Sequence, residues 1–124
     1  MQNVIYAYTR KQALADGEQV DVSTIAAKAG IRFPVFFTRA VYDAHVSESP
    51  EFTGQNKSWR LRDILADLRF AIIANHAEGD RVPLLLAVEN KDHSKEIVEL
   101  IAICGAMDID DPQPTITVML PDED

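Results

Sequence analysis

The sequence has little cysteine and no long apolar run, and each absence excludes a class of protein. The single Cys104 cannot form an internal disulfide, which excludes a disulfide-stabilised scaffold. The longest apolar stretches, such as residues 70–74 and 101–104, hold four or five residues, whereas a membrane-spanning helix needs roughly 20. The N-terminus lacks the basic start and apolar run of a secretory signal. We therefore expect a cytoplasmic protein with no membrane association.

The motifs of the common metal, nucleotide and hydrolase sites are also missing. His45, His76 and His93 are separated by 31 and 17 residues, whereas the ligands of a metal site recur at short spacings. The glycine-rich phosphate loop, the dinucleotide fingerprint and the G-x-S-x-G elbow do not occur. We therefore predict no metal and no cofactor, and we assign no catalytic residue.

The length and composition are those of one globular unit. A chain of 124 residues lies near the common domain size and leaves no room for a second core. With 47% hydrophobic and 26% charged residues, the chain can bury a core, and disorder is excluded. We predict a single globular domain over residues 1–124 with a short acidic C-terminal tail.

The negative charge is concentrated in the last third of the chain. Of the formal net charge of −8, residues 1–47 contribute +1, residues 48–82 contribute −1 and residues 83–124 contribute −8. Six carboxylates near the end have no Lys or Arg among them: Asp108, Asp110, Asp111, Asp122, Glu123 and Asp124. We interpret them as an acidic interaction surface that repels nucleic acid and attracts a basic partner, or else as a solubilising terminus.

Apolar periodicity and capping residues predict helices in the first two thirds of the chain. They fall after a Thr9 cap up to Gly17, over residues 24–29, over residues 35–46 and over residues 59–76. Residues 47–57 have the composition of a surface loop. Phe70 and Ile73 lie outside the main apolar stripe of the last helix, and we interpret them as core contacts rather than as an exposed patch for a partner.

Strand patterns dominate the C-terminal third. Residues 83–89 and 115–120 have strand patterns, and residues 96–104 suit either a buried strand or a helix capped by Ser94, of which we choose the strand. Residues 105–113 between them are predicted as an acidic turn. A short strand is also predicted over residues 3–8, and residues 18–22 are a connector or an edge strand. The predicted class is α+β: an antiparallel sheet with a C-terminal three-strand meander, packed against three to four helices.

One segment has the spacing of a helix-turn-helix. Residues 24–42 hold a short helix, a Gly turn and a second apolar helix that would be the recognition helix. That second helix offers only Thr38 and Arg39 among Phe, Val and Ala, in a chain with a pI of about 4.7. Base edges and phosphates require polar and basic side chains, so the chemistry argues against direct nucleic-acid binding.

Five polar and aromatic residues could line a ligand site if the fold brings them together. They are Tyr8, Arg10, Arg39, Trp59 and Asp63. Arginines can clamp an anion and a carboxylate can act in acid–base chemistry, so their convergence in one pocket would favour an enzyme or a small-ligand binder over a protein-binding module.

Blocks of residues along the chain carry a family resemblance. The blocks are residues 8–10 (YTR), 12–17 (QALADG), 20–23 (VDVS), 29–30 (AG), 33–35 (FPV), 38–41 (TRAV), 103–105 (ICG) and 116–121 (ITVMLP). This pattern resembles a family of small proteins with a domain of unknown function, encoded on bacterial plasmids, integrated elements and phages. The chain differs by Tyr42 where the family pattern has Trp, and by Phe36 and Phe37 where smaller residues are usual.

The resemblance implies an accessory protein of mobile genetic elements and no known catalytic residue. Our leading hypothesis is a protein-interaction module whose partner is a host or element-encoded protein with a basic surface. A second hypothesis is an acidic DNA mimic that inhibits a restriction or CRISPR protein, as the charge of residues 83–124 would allow. A small-ligand-binding protein or enzyme and a helix-turn-helix DNA binder are the remaining alternatives.

Overall fold

A computed structural model describes residues 8–46, 54–74, 80–89 and 95–123, without the side chains of residues 54–59, 87–89 and 95. Within these ranges the chain forms four α-helices and five β-strands. The helices are α1 (Arg10–Asp16), α2 (Ser23–Lys28), α3 (Arg39–His45) and α4 (Gly54–Ala74). The strands are β1 (Gln19–Asp21), β2 (Val35–Thr38), β3 (Arg81–Glu89), β4 (Lys95–Asp108) and β5 (Asp111–Met119), and a 3₁₀ helix follows at Pro121–Glu123.

The five described strands form one sheet in the order β1-β2-β5-β4-β3. Strands β3, β4 and β5 form an antiparallel meander, and β1 pairs antiparallel with β2. Only the β2–β5 pair is parallel, because the chain passes through α3, α4 and the β3–β4 hairpin before it returns beside β2. The predicted α+β class, with a C-terminal meander packed against helices, is confirmed.

The two faces of the sheet have different neighbours. Side chains alternate between faces along a strand, so Val35 and Phe37 of β2 share one face with Val118 of β5, and all three are fully buried. Leu65 and Leu68 of α4 belong to the same core cluster. The helix α4 therefore covers this core face.

The opposite face is covered in part by α1. It presents Phe36 of β2 together with Thr115 and Thr117 of β5, all of them buried. Further along this face, towards β3, Leu85 and Ile97 are 66% and 67% exposed. The α1 end of the face is thus covered, whereas the β3 end is open to solvent and carries Glu99 beside the two apolar side chains.

Most of the predicted elements are confirmed. Helix α1 begins at a Thr9 capping box with Gln12 and ends at Gly17, which has a φ of 80°. The helix predicted over residues 24–29 is α2, and the segment 96–104 is a strand, as predicted. Helix α4 begins at Gly54, so the end of the predicted 47–57 loop is helical. Residues 3–7 of the first predicted strand lie outside the described residues.

The helix predicted over residues 35–46 is wrong in its first part. Residues Val35–Thr38 form β2, and α3 begins only at Arg39, with the Thr38 hydroxyl accepting a hydrogen bond from the Val41 amide. The run of Val and Phe is apolar on all sides because β2 is buried on both faces. Since a strand separates α2 from α3, residues 24–42 do not form a helix-turn-helix, and that alternative loses its structural basis.

The acidic turn predicted over residues 105–113 is also wrong in extent. Strand β4 continues to Asp108 and β5 starts at Asp111, so the turn is confined to Ile109 and Asp110. Cross-strand pairing overrides the weak strand propensity of Gly, Asp and Pro in this segment.

Candidate functional site

An apolar groove lies between the connection that follows α2 and the C-terminal part of α4. It has a volume of about 240 Å³ and is lined by Gly30, Ile31, Arg32, Phe33, Arg69, Ile72, Ile73 and Ile116. Residues 69, 72 and 73 share one side of α4 because they are three and four positions apart. We call this feature the groove.

Large apolar side chains are exposed at and beside the groove. Phe33 is 50% exposed and Ile73 is 55% exposed, and both line the groove. Phe70, one turn before Ile73 on α4, is 73% exposed. The interpretation of Phe70 and Ile73 as core contacts is therefore wrong: the core beneath α4 is already filled by the Leu61, Ile64, Leu65 and Leu68 stripe.

Two arginines, Arg32 and Arg69, border the groove. Within the described part of the chain, Arg32 and Arg69 form no hydrogen bond and no ion pair. The Arg69 side chain lies against Gly30, where an added Cβ would stand 2.9 Å from Nε and 3.2 Å from Cδ. Gly30 has a φ of 93°, so its backbone conformation favours glycine, and a Cβ there would also displace the Arg69 side chain.

The guanidinium group of Arg10, one of the five ligand-binding candidates, is hydrogen-bonded to the protein. Its Nε donates to the Met107 carbonyl at 2.7 Å, and its two terminal nitrogens donate to one amide, one carbonyl and two hydroxyl oxygens. These acceptors are Gln19 Oε1, Thr117 Oγ1, Ala106 O and Thr115 Oγ1. The guanidinium also stacks on the Phe36 ring at 4.2 Å. Burial lowers the pKa of Arg10, against the opposing effect of Asp108. This arginine joins α1 to the sheet.

Tyr8 and Arg39 have partners at the end of α1, whereas Asp63 lies on α4. The Tyr8 hydroxyl donates to Asp16 Oδ2 at 2.8 Å, and this hydrogen bond raises the pKa of Tyr8 to about 12. Arg39 Nε donates to the Gly17 carbonyl, and its Nη1 pairs with Asp43 at 3.3 Å. Asp63 is exposed on α4, over the core face, whereas Arg10 lies on the opposite face. The side chain of Trp59 is outside the described residues.

The acidic residues are divided between the two ends of β5. Asp108, Asp110 and Asp111 lie at its start, and Asp122 and Glu123 follow its end. The eight strand residues 112–119 lie between the two groups and span about 25 Å at the usual rise per residue. Glu123 accepts hydrogen bonds from the Thr38 hydroxyl and the Leu120 amide. Asp124 lies outside the described residues.

Asp108 serves as a cap for α1 from a distant part of the chain. Its carboxylate accepts hydrogen bonds from the amides of Arg10 and Lys11, which are free donors in the first turn of the helix. It also accepts one from the Ile109 amide. These hydrogen bonds, that from Ile109 first, hold the pKa of Asp108 below its ordinary value.

The lowered pKa of Asp108 predicts a pH-dependent contribution to stability. A carboxyl group whose pKa is lower in the folded state stabilises the fold above its unfolded pKa, near 3.9, and loses that effect as pH falls through the folded pKa. We expect the unfolding free energy of the wild type to fall more steeply than that of Asp108→Asn below about pH 4. Urea unfolding at a series of pH values measures this difference.

Asp110→Asn is the matched control, since Asp110 accepts no hydrogen bond from the described residues. It should follow the wild-type pH dependence. Parallel curves for wild type and Asp108→Asn would contradict the capping role.

Several site types have no counterpart in the described ranges. No cluster of three or more His, Cys, Asp or Glu side chains is placed to hold a metal ion there. None of the described helices has the length and apolar character needed to cross a membrane. Cys104 is half-buried, and burial raises the pKa of its thiol, which disfavours the nucleophilic thiolate.

Comparison with known proteins identifies a family but no activity. The family model described as "Family of unknown function (DUF6573)" matches residues 1–124, the whole chain. No curated protein and no solved structure matches the chain.

Proposed function

The chain belongs to this family of unknown function (DUF6573), and we propose that it is a cytoplasmic protein-binding module that acts as an accessory of mobile genetic elements. The protein-binding part of the proposal rests on one observation: an apolar groove whose lining and border expose Phe33, Phe70 and Ile73. The mobile-element role rests on the family resemblance of the sequence. Large apolar side chains exposed together beside a concave surface are typical of sites that a partner covers.

The size of the groove favours a protein partner over a small ligand. Pockets for small molecules and cofactors usually enclose about 300–1,000 Å³, and the groove holds about 240 Å³. That volume suits one or two side chains of a partner. The exposed Phe70 beside it would add contact area outside the cavity. The enzyme and small-ligand alternatives lose support for a second reason, because all five N–H donors of Arg10 are occupied by protein acceptors.

The positions of the acidic residues give less support to the hypothesis of an acidic DNA mimic. A mimic needs carboxylates spaced like phosphates along one surface, whereas the acidic residues lie at opposite ends of β5. Asp108 and Glu123 are also engaged in hydrogen bonds within the chain. A partner with a basic surface that contacts one of these ends stays a prediction.

Site-specific photo-crosslinking in the native cells tests the proposal. A photoreactive amino acid at position 33 reports on the groove, and the same amino acid at position 109 is the matched control, because Ile109 is exposed in the β4–β5 turn. We expect a discrete crosslinked species from position 33 and none of the same mass from position 109. The additional change Ile73→Glu should abolish it. Equal crosslinking from both positions, or none from position 33, would contradict the proposal.

A further inference from the structure

We infer that the groove recognises an acidic–apolar peptide segment of its partner, an inference that rests on the proposed function. An apolar side chain of the segment enters the groove, and neighbouring carboxylates pair with Arg32 and Arg69. The groove would then select its partner by charge as well as by apolar contact.

The charge around the groove is the reverse of the charge of the chain. The chain has a formal net charge of −8, and two of its other arginines are engaged internally: Arg10 with β4 and β5, and Arg39 with Asp43. Arg32 and Arg69 border the groove and have no hydrogen bond or ion pair within the described ranges. Among the described residues no carboxylate is paired with either guanidinium group, and both side chains are exposed to a ligand.

The guanidinium groups of Arg32 and Arg69 determine which class of ligand the groove can bind. The planar fork of N–H donors matches the two oxygens of a carboxylate, and such charge-assisted pairs are about twice as strong as neutral hydrogen bonds. A basic segment would be repelled at the same place. The apolar lining between the two arginines requires an apolar side chain next to the acidic ones. A peptide with acidic and apolar residues next to each other therefore fits the groove best.

The packing of Arg69 on Gly30 supports a recognition role for this arginine. An added Cβ at Gly30 would stand 2.9 Å from Arg69 Nε, so the side chain lies directly against the backbone at the edge of the groove. This position places the exposed Arg69 guanidinium at the groove, where it can meet a carboxylate of the ligand. Arg62 lies two helical turns earlier on the same side of α4 and is exposed, so basic character continues along the helix beyond the groove.

Selection from a phage-displayed library of random linear peptides tests the inference. We expect the wild-type protein to enrich peptides that place Asp or Glu beside large apolar residues. The double variant Arg32→Glu/Arg69→Glu should enrich Lys and Arg at those positions instead. Lys11→Glu is the control for a charge change on the opposite face of the sheet, and it should select the same peptides as the wild type. Melting curves by circular dichroism confirm that each variant is folded.

Affinity measurements on the strongest selected peptide separate the inference from the proposed function. Replacing its acidic residues by Asn and Gln, or Arg69 by Gln, should weaken binding about tenfold, and Ile73→Glu should abolish binding. If the amide peptide binds as tightly as the acidic one while Ile73→Glu still abolishes binding, the charge inference is overturned and the groove remains the binding site. If Ile73→Glu does not change the binding of any selected peptide, or if no peptide is enriched, both the charge inference and the proposed function are contradicted.

Discussion

Arg10→Ala is expected to lower the free energy of unfolding by about 3 kcal/mol. The substitution removes all five hydrogen bonds of the guanidinium and its stacking on Phe36. Two of the acceptors, the hydroxyls of Thr115 and Thr117, are buried, and buried polar groups that lose a partner cost more than the net value of the bond. The contact between α1 and the sheet is weakened at the same time.

Urea unfolding at neutral pH measures this effect. Arg10→Lys should fall between the wild type and Arg10→Ala, because an ammonium group has fewer donors and lacks the planar surface for stacking. Lys11→Ala is the neighbouring control, since Lys11 is exposed, and it should change stability by less than about 0.5 kcal/mol. A loss of less than about 1 kcal/mol for Arg10→Ala would show that its network is not structural.

Gly30→Ala is expected to destabilise the fold by about 2 kcal/mol. The φ of 93° at this position is a left-handed conformation that alanine adopts only with strain. The new Cβ would also lie 2.9 Å from Arg69 Nε, so the arginine must move from its place at the groove. The substitution should therefore weaken the binding of an acidic peptide as well as the fold.

Gly105→Ala is the matched control for Gly30→Ala. Gly105 lies in β4, and an added Cβ would meet nothing within 4 Å, so stability should be unchanged or slightly increased. Thermal and urea unfolding of the two variants measure the difference. Equal losses of stability would contradict the requirement for glycine at position 30.

The sequence predicts correctly those helices and strands that are stabilised by residues close to each other in the chain. Thr9 and Gly17 bound α1 because a capping box and a left-handed glycine act within a few residues. The alternation of Thr with Ile and Val predicted β5, since it has one face in the core and one against polar neighbours. In contrast, β2 was mistaken for a helix because a strand buried on both faces has no alternation to distinguish it from a buried helix.

The site depends on long-range contacts that cannot be predicted from the local patterns of a single sequence. Arg10 resembled a ligand-binding arginine, and the acceptors that occupy it come from residues about a hundred positions away, such as Met107 and Thr117. The groove was missed because Arg32 and Arg69 are brought together only by the packing of α2 against α4. The signal in the sequence is the position of Phe70 and Ile73 outside the main apolar stripe of α4, a pattern that suits either a core contact or an exposed patch.

Isoleucine methyl NMR spectra, recorded while the strongest selected peptide is added, test most directly that the groove is the binding surface of this protein. The isoleucines report on the groove and on control surfaces in the same spectrum. Ile31, Ile72, Ile73 and Ile116 line the groove, whereas Ile97 and Ile109 are exposed elsewhere. We expect the methyl signals of the four groove residues to shift or broaden and those of Ile97 and Ile109 to stay in place. Shifts confined to Ile97 or Ile109, with the groove signals unchanged, would contradict the account.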